Sequence, residues 1–361
     1  MLEPTQTGSA QLHSLGAREL APIQGTTRHG STNSSNGGPL VHRLFRKLRS
    51  NDFLLSAMVF AFRKLQRLGI SVGPNHFYWP VPDLASLESR RSVSSEIASA
   101  PELGLPKQVE LLENLSARYS DEWNFPEQPT NDSEYHSCNG FFETVDAQVA
   151  YAMVRHFKPS NVIEVGGGFS TRLLAQALRV NFEQDGVQSQ LTTIDPGLDR
   201  SQQLSLPQEV GVIQRPVQEI DLGLFSSLKG GDILFLDSSH VVSVGSDVVY
   251  EYLEVIPRLG KGVVIHAHDI FLPFDYPDEL VGNLSFWSEQ YLLQAFLSFN
   301  PCFEVLWSSS AMQTHHSETL DQTFPSWKGS YGKLPKGNRR FVPSRDGERI
   351  WPSSFWMRRT R

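Results

Sequence analysis

The sequence predicts an α/β protein built on a doubly wound, mostly parallel, seven-stranded sheet with a helical N-terminal extension. Three observations predict it. From about residue 145, short apolar runs alternate with stretches of helical periodicity, the pattern of βαβ units. One run, Asn161 to Val165, opens directly into Gly166, Gly167 and Gly168, a strand-to-helix turn at which helix amides can face a ligand. Two later runs end in acids and histidines, Asp237-Ser-Ser-His240 and His266-Ala-His268-Asp269. In such a sheet the ligand crevice lies at those strand ends.

The elements follow in order. Residues 1–40 are rich in Gly, Ser, Thr, Asn and Gln and include the run Ser31-Thr-Asn-Ser-Ser-Asn-Gly-Gly38. They bury too little apolar surface to order themselves, which predicts a disordered tail. From Val41 to Leu68 apolar residues recur at helical spacing among Arg and Lys until Gly69, which predicts a helix. A Pro- and aromatic-rich loop spans Gly73 to Asp83; its His76, Phe77, Tyr78 and Trp79 suit a pocket cap or plain packing equally. A second helix is expected near Lys107 to Tyr119, so residues 41–135 form the helical extension. The main domain is expected over 136–361. Its helices are expected at Asp146 to His156, Ser170 to Leu178, Val248 to Ile256 and Trp287 to Phe299. Its strands are expected at Asn161 to Val165, Leu191 to Ile194, Val210 to Gln214, Asp232 to Leu236, Gly262 to His266, Phe303 to Trp307 and Phe355 to Arg358. The Gly-, Pro- and Lys-rich stretch from Ser308 to Ser353 reads as an insertion between the last two strands.

Composition narrows the function classes. A chain of 361 residues with 39% hydrophobic and 20% charged residues can bury a sizeable core. A net charge of −7 argues against nucleic acid as the main partner, since phosphate binding favours a basic surface. The apolar run from Phe53 to Phe62 is too short to span a bilayer and meets Arg63 and Lys64. No basic segment leads into an apolar stretch at the start, so no secretion signal is expected. Cys138 and Cys302 are far apart and make neither a disulfide framework nor a zinc site. These features predict a cytoplasmic protein acting on a small molecule, away from membranes. They say nothing of oligomeric state.

The glycine turn favours a cationic ligand over a pyrophosphate. Glu164 precedes it by two residues, and an acid there suits a ligand carrying a sulfonium and an ammonium. No Gly-Lys-Ser/Thr follows, and the third glycine of a dinucleotide fingerprint would fall at Thr171. Asp195 ends the next strand, where a carboxylate can accept both hydroxyls of a ribose. The same turn also occurs in proteins with no ligand.

Glu164-Val-Gly-Gly-Gly-Phe-Ser170, Asp195 and Asp232-Ile-Leu-Phe-Leu-Asp237 together resemble three motifs of class I S-adenosylmethionine-dependent methyltransferases, whose fold is Rossmann-like. The resemblance covers about residues 145–361. It implies that Glu164, Gly166, Gly168, Ser170 and Thr171 line the methionine end of S-adenosylmethionine and that Asp195 holds its ribose. Ser170 stands where the family usually has a third glycine. The segment Gln214 to Glu219 would lie beside the adenine.

The acid and histidine cluster admits three readings. The side chains could simply bond loop backbone. His240 could be a general base that takes a proton from an acceptor hydroxyl as the methyl arrives. Asp237, His268 and Asp269 could in addition hold a divalent metal, magnesium or iron, that orients the hydroxyl and lowers its pKa. The Asp-x-x-His spacing, with acids on the next strand, resembles metal-dependent sugar O-methyltransferases of the macrocin type and the related cephalosporin-hydroxylase-like branch. That resemblance implies roles for Asp237, His240 and Asp269, and departs at His268, where those enzymes have a carboxylate. The expected function is therefore methyl transfer from S-adenosylmethionine to an oxygen of a sugar or other hydroxylated metabolite. The alternatives are an iron-dependent oxygenase on the same fold and a non-catalytic S-adenosylmethionine-binding protein.

Overall fold

In the computed structural model, seven strands form one sheet: β1 (Asn161–Val165), β2 (Gln190–Ile194), β3 (Gly211–Ile213), β4 (Ile233–Leu236), β5 (Val264–Ala267), β6 (Phe303–Ser308) and β7 (Phe355–Arg359). Their order is β3-β2-β1-β4-β5-β7-β6. The first five are parallel, and β7 inserts antiparallel between β5 and β6. The structure describes residues 60–72, 80–84, 87, 96, 97, 101–129, 131–198, 202, 203, 205–282, 284–325 and 352–361. The expected tail over 1–40, the start of the helix expected from Val41, and most of the loop from Gly73 lie outside the described residues.

The chain divides into two compact units, Met1–Val81 and Pro82–Arg361. In the first, residues 60–66 are helical and the turn closes at Gly69, whose φ of +74° suits glycine. The second holds the sheet.

Helices cover both faces of that sheet. They are α1 (Leu105–Tyr119), α2 (Asp146–Phe157), α3 (Phe169–Asp185), α4 (Leu222–Ser226), α5 (Asp247–Tyr250), α6 (Asp278–Gly282), α7 (Glu289–Leu297), α8 (Ser309–His315) and α9 (Ser317–Thr323). The central strands are apolar at successive positions, as strands covered on both faces must be; all four residues of β4 are buried. Side chains on a strand alternate between faces, which makes two cores. Val162, Phe235 and Val264 pack with α1, α2 and α3. Ile163, Leu234 and Ile265 pack with Val248, Tyr252 and Leu293. None of the helices among the described residues is long and apolar enough to cross a membrane.

Three elements differ from the sequence expectation for physical reasons. The helix expected to stop at Leu178 runs to Asp185, because the polar Asn181 is fully buried and its amide donates to Val154 O. The strand expected from Gly262 starts at Val264. Gly262 has φ +86°, and a Cβ there would lie 2.9 Å from Gly230 Cα, so it belongs to a tight turn. The stretch after Ser308 begins as α8 and α9, with Ala311, Met312, Leu320 and Phe324 buried. The Ser308 hydroxyl caps α8 by accepting from Ala311 N–H. Residues 326–351 lie outside the described residues.

The helix after β4 changes its winding. It runs from Asp247 as an α-helix, continues as a π-helical turn at Glu251–Val255 and ends as a 3-10 turn at Ile256–Arg258. Adjacent residues Glu251 and Tyr252 are both fully buried there. Turns of this kind recur at functional sites.

Candidate active site

The glycine turn between β1 and α3 is fixed by close backbone packing. Gly166 has φ +88°, and a Cβ on it would stand 1.9 Å from the main-chain oxygen of Asp237. A Cβ on Gly167 would meet Thr193 Oγ1 at 2.8 Å, whereas Gly168 faces open space. The Asp195 carboxylate accepts from Gly167 N–H (3.0 Å) and Gly197 N–H (2.6 Å), which ties the end of β2 to the turn. A groove of about 340 Å³ opens beside it, lined among others by Gly166, Asp195, Pro216, Val217, Asp237 and Ser238. That size is at the small end of ligand sites, which span about 300–1,000 Å³. Gln218 also lines it, so the segment expected beside an adenine does border the groove.

Glu164, Ser170 and Thr171 are buried and bonded to one another. The Glu164 carboxyl accepts from Ser170 Oγ (2.7 Å) and Thr171 Oγ1 (2.5 Å), and Thr171 Oγ1 accepts from Gly168 N–H (2.9 Å). Burial pushes the Glu164 pKa up from 4.5 to about 7, with the hydroxyl bonds opposing the rise. The fold therefore keeps a proton that the unfolded chain releases near 4.5. The stability this gives is fully present below 4.5 and is lost as pH rises through about 7, an effect of about 3 kcal/mol for a shift of this size. Glu164→Gln should flatten the fall in melting temperature between those limits. Buried Glu143, also pushed to about 7, leaves a residual slope. Identical profiles for mutant and wild type in thermal melts across pH would rule the effect out.

The second half of the site lies at the ends of β4 and β5. His240 and Asp269 adopt positive φ values of 59° and 56°, the left-handed region that Asp and His enter more readily than most residues with a Cβ. His240 Nε2 lies 3.4 Å from both Asp237 Oδ1 and Asp269 Oδ2. Its Nδ1 lies 2.8 Å from Glu289 Oε2, and the Tyr252 hydroxyl donates to Glu289 Oε1 at 2.9 Å. His268 Nδ1 lies 3.6 Å from Asp237 and 3.5 Å from Asp269, and its Nε2 lies 3.7 Å from Asp146. Asp146 accepts from Ser353 N–H (2.8 Å), Ser354 N–H (3.0 Å) and Ser309 Oγ (2.6 Å). Ser353 Oγ donates to Asp269 (3.0 Å).

Charge in the cluster is coupled. Burial alone would lower the pKa of His240, but hydrogen bonds to Asp237 and Glu289 and the charge of Asp269 override it and hold the ring well above its usual value. His268 is raised in the same way by Asp269 and Asp237. Burial would raise Asp237, yet the two histidines hold it far below the carboxylate range. His266, by contrast, is pushed down by burial and by His268. It stacks on Phe235 with ring centroids 3.8 Å apart and shares a hydrogen bond with Ser354 Oγ (2.9 Å), so its place is structural.

One donor atom from each of Asp237, His240 and Asp269 lies within 4.8 Å of the others. Two carboxylates and an imidazole suit a divalent ion of the magnesium-to-iron range. His268, expected as a ligand, sits against the same two aspartates through Nδ1. The candidate metal residues and the candidate base are thus all brought together. Sequence reading missed Glu289, Tyr252, Asp146 and Ser353. A signal existed for Glu289: it heads the buried stripe Glu289, Leu293, Leu297, and a charge on a buried helix face needs a partner. Asp146 gave none, since an acid in the first turn of a helix is ordinary.

A family model described as a methyltransferase domain matches residues 163–270, from the middle of β1 to just beyond β5. An uncharacterized protein of Archaeoglobus fulgidus is 26% identical over 198 residues, 53% of this chain and 86% of that one. Among solved structures, the S-adenosylhomocysteine-bound methyltransferase PaMTH1 of Podospora anserina aligns at 17% identity and a TM-score of 0.34, covering 62% of this chain and 87% of its own. An O-methyltransferase of Bacillus cereus, also with S-adenosylhomocysteine, aligns at 16% identity and a TM-score of 0.31, covering 55% and 81%. The matched methyltransferase domain spans the glycine turn and both acid-bearing strand ends.

Proposed function

We propose that the protein methylates a hydroxyl oxygen of a small molecule, a sugar or similar metabolite, with His240 as general base. The observation that carries this reading is the His240 ring nitrogen held 3.4 Å from aspartates on two adjacent strand ends, one of which, Asp237, also lines the groove. Asp195 would hold the ribose of the cofactor, and the amides of the glycine turn its methionine end. The acceptor oxygen attacks the methyl carbon, the carbon–sulfur bond breaks, and the sulfur keeps the electron pair as a thioether. The hydroxyl proton passes to His240 Nε2. Asp237, Asp269 and His268 would hold a divalent cation, whose charge would lower the pKa of the hydroxyl. The carboxylates that such a cation would neutralise are two of those that raise His240, leaving Glu289 as the acid at the ring.

A second reading has one observation in its favour. The donor atoms that converge are those of Asp237, His240 and Asp269, and His240 Nδ1 is anchored by a carboxylate, as metal-bound histidines usually are. With His268 beside it, that set suits an iron-dependent oxygenase. Incubation with S-adenosylmethionine and a panel of hydroxylated compounds separates the two. The favoured reading gives S-adenosylhomocysteine in step with an acceptor heavier by one methylene, with or without oxygen. Asp195→Ala should weaken cofactor binding by roughly 1.5–3 kcal/mol, the usual loss of a charge-assisted hydrogen bond, measured by calorimetry. Oxygen-dependent product with no S-adenosylhomocysteine would overturn the reading.

A further inference from the structure

We propose that Trp287 selects the acceptor, and that the uncovered part of its indole packs against the C–H face of a sugar ring whose hydroxyl meets His240. The proposal deepens the methyl-transfer reading and rests on it.

Trp287 stands beside the candidate base and is held there from two sides. Its indole packs on the His240 ring with centroids 4.7 Å apart. It also packs on a small apolar cluster, separate from the two cores, made of Phe271, Tyr276 and Leu280, with the Tyr276 ring edge-on at 6.2 Å. Buried Gln290 ties that cluster to the start of α7. Its main-chain N–H donates to the Tyr276 hydroxyl at 3.0 Å, its side-chain oxygen accepts from Phe271 N–H at 2.9 Å, and its amide nitrogen donates to Phe274 O at 3.2 Å. Toward His240, Ser288 N–H donates to the His240 main-chain oxygen at 2.8 Å, and Ser288 Oγ accepts from Val242 N–H at 2.8 Å. Trp287 is nonetheless only half-buried. An aromatic ring braced by its neighbours and left partly open is a ready contact surface, because it gives up little conformational freedom when a ligand covers it.

The surroundings of His240 differ in kind from side to side. Asp237 and Asp269 each lie 3.4 Å from Nε2, and Ser353 Oγ lies 3.0 Å from Asp269, so that side is polar. The indole side is apolar. A ligand that fits both carries hydroxyls along an edge and hydrocarbon on a face. A pyranose does so: its hydroxyls ring the rim while ring C–H bonds project above and below. The neighbouring oxygens leave those hydrogens partly positive, and the face of an aromatic ring is negative. A simple phenol offers one hydroxyl and nothing further to the polar side. Trp287 thus decides which molecule lies with its hydroxyl at His240, and leaves the proton and methyl steps to other residues.

The test is saturation-transfer NMR on the full chain with S-adenosylhomocysteine bound, using methyl β-D-glucopyranoside, methyl β-D-galactopyranoside and methyl α-L-rhamnopyranoside, and separately phenol and catechol. The glycosides should bind, with saturation strongest on the ring C–H protons of one face. Trp287→Leu keeps an apolar side chain without the aromatic face and should weaken that binding about tenfold, whereas Trp287→Phe should stay within about threefold of wild type. Affinity for S-adenosylhomocysteine should be the same in all three by calorimetry, since Trp287 is not among the residues lining the groove. With a glycoside that is turned over, the loss in Trp287→Leu should fall on KM, with kcat within about threefold. A Trp287 that merely props His240 would show the reverse, a lower kcat at unchanged KM, and that result overturns the proposal. If Trp287→Leu does not fold, Trp287→Met takes its place with the same expectation. Absence of glycoside binding, binding of the phenols alone, or equal glycoside affinity with and without the indole also overturns it. Glycoside binding that depends on Trp287, with oxygen-dependent turnover and no S-adenosylhomocysteine formed, overturns the methyl-transfer reading alone and leaves the sugar on Trp287.

Discussion

His240→Ala is expected to cut methyl-transfer turnover by a factor on the order of 10² to 10⁴, the usual contribution of a positioned base, while cofactor affinity stays nearly unchanged. The ring contacts Asp237, Asp269, Glu289 and Trp287 but is not among the residues lining the groove. Its loss should therefore appear in kcat and not in cofactor binding. The same change strips Glu289 of its histidine partner in a buried place, which costs stability. The rate must accordingly be taken per folded molecule, with melts run alongside. Asp269→Ala should act differently, removing metal content or metal dependence as read by elemental analysis and chelation. A normal rate in folded His240→Ala protein refutes the base. Chelator-insensitive turnover with no bound ion refutes the metal and leaves His240 standing.

Gly166→Ala should unfold the glycine turn or lower global stability by more than about 3 kcal/mol. The added methyl would sit 1.9 Å from Asp237 O, backbone against backbone, so no flexible side chain can yield. The φ of +88° adds roughly 1–3 kcal/mol of strain for a residue with a Cβ. Relief would require β1 and β4 to separate where Asp237 N–H donates to Val165 O (2.9 Å). Cofactor binding should fall with it, since Asp237 lines the groove. Gly168→Ala is the control: its backbone is extended at φ 174° and a Cβ there meets nothing within 4 Å. Denaturant melts of the two variants should differ widely, and equal stabilities would refute the argument.

The core of the fold was legible in the sequence because its signals are local. The apolar runs, the glycine turn after Val165 and the acids ending β2, β4 and β5 each declare themselves within a few residues. The glycine-turn half of the candidate site came from such runs. The other half was legible only in part. Asp237, His240, His268 and Asp269 lie on adjacent strand ends, so topology alone predicts their meeting. Tyr252, Asp146 and Ser353 reach the cluster from elsewhere in the chain, by packing that no spacing encodes, and the stripe that Glu289 shares with Leu293 and Leu297 marks it as buried without naming its partner. The length of α3 was hidden for a related reason, since buried Asn181 looks like a surface residue until Val154 O is placed beside it. Strand β7, read correctly as a strand, gave no hint from its composition that it would lie between β5 and β6.

That placement of β7 bears on the order in which the molecule can assemble as it is made. Strands β1 to β5 can pair as each leaves the ribosome, and the groove beside Asp195 draws on those strands and the segments between them. Strand β6 borders only β7, so it has no neighbour in the sheet until Phe355–Arg359 emerges. The two serines just before β7 are also the ones that bond Asp146, His266 and Asp269. Closing so distant a pairing is entropically slow compared with the local βαβ units. The groove beside Asp195 thus draws on segments made early, whereas the acid cluster has its last serine partners only once the end of the chain has been made.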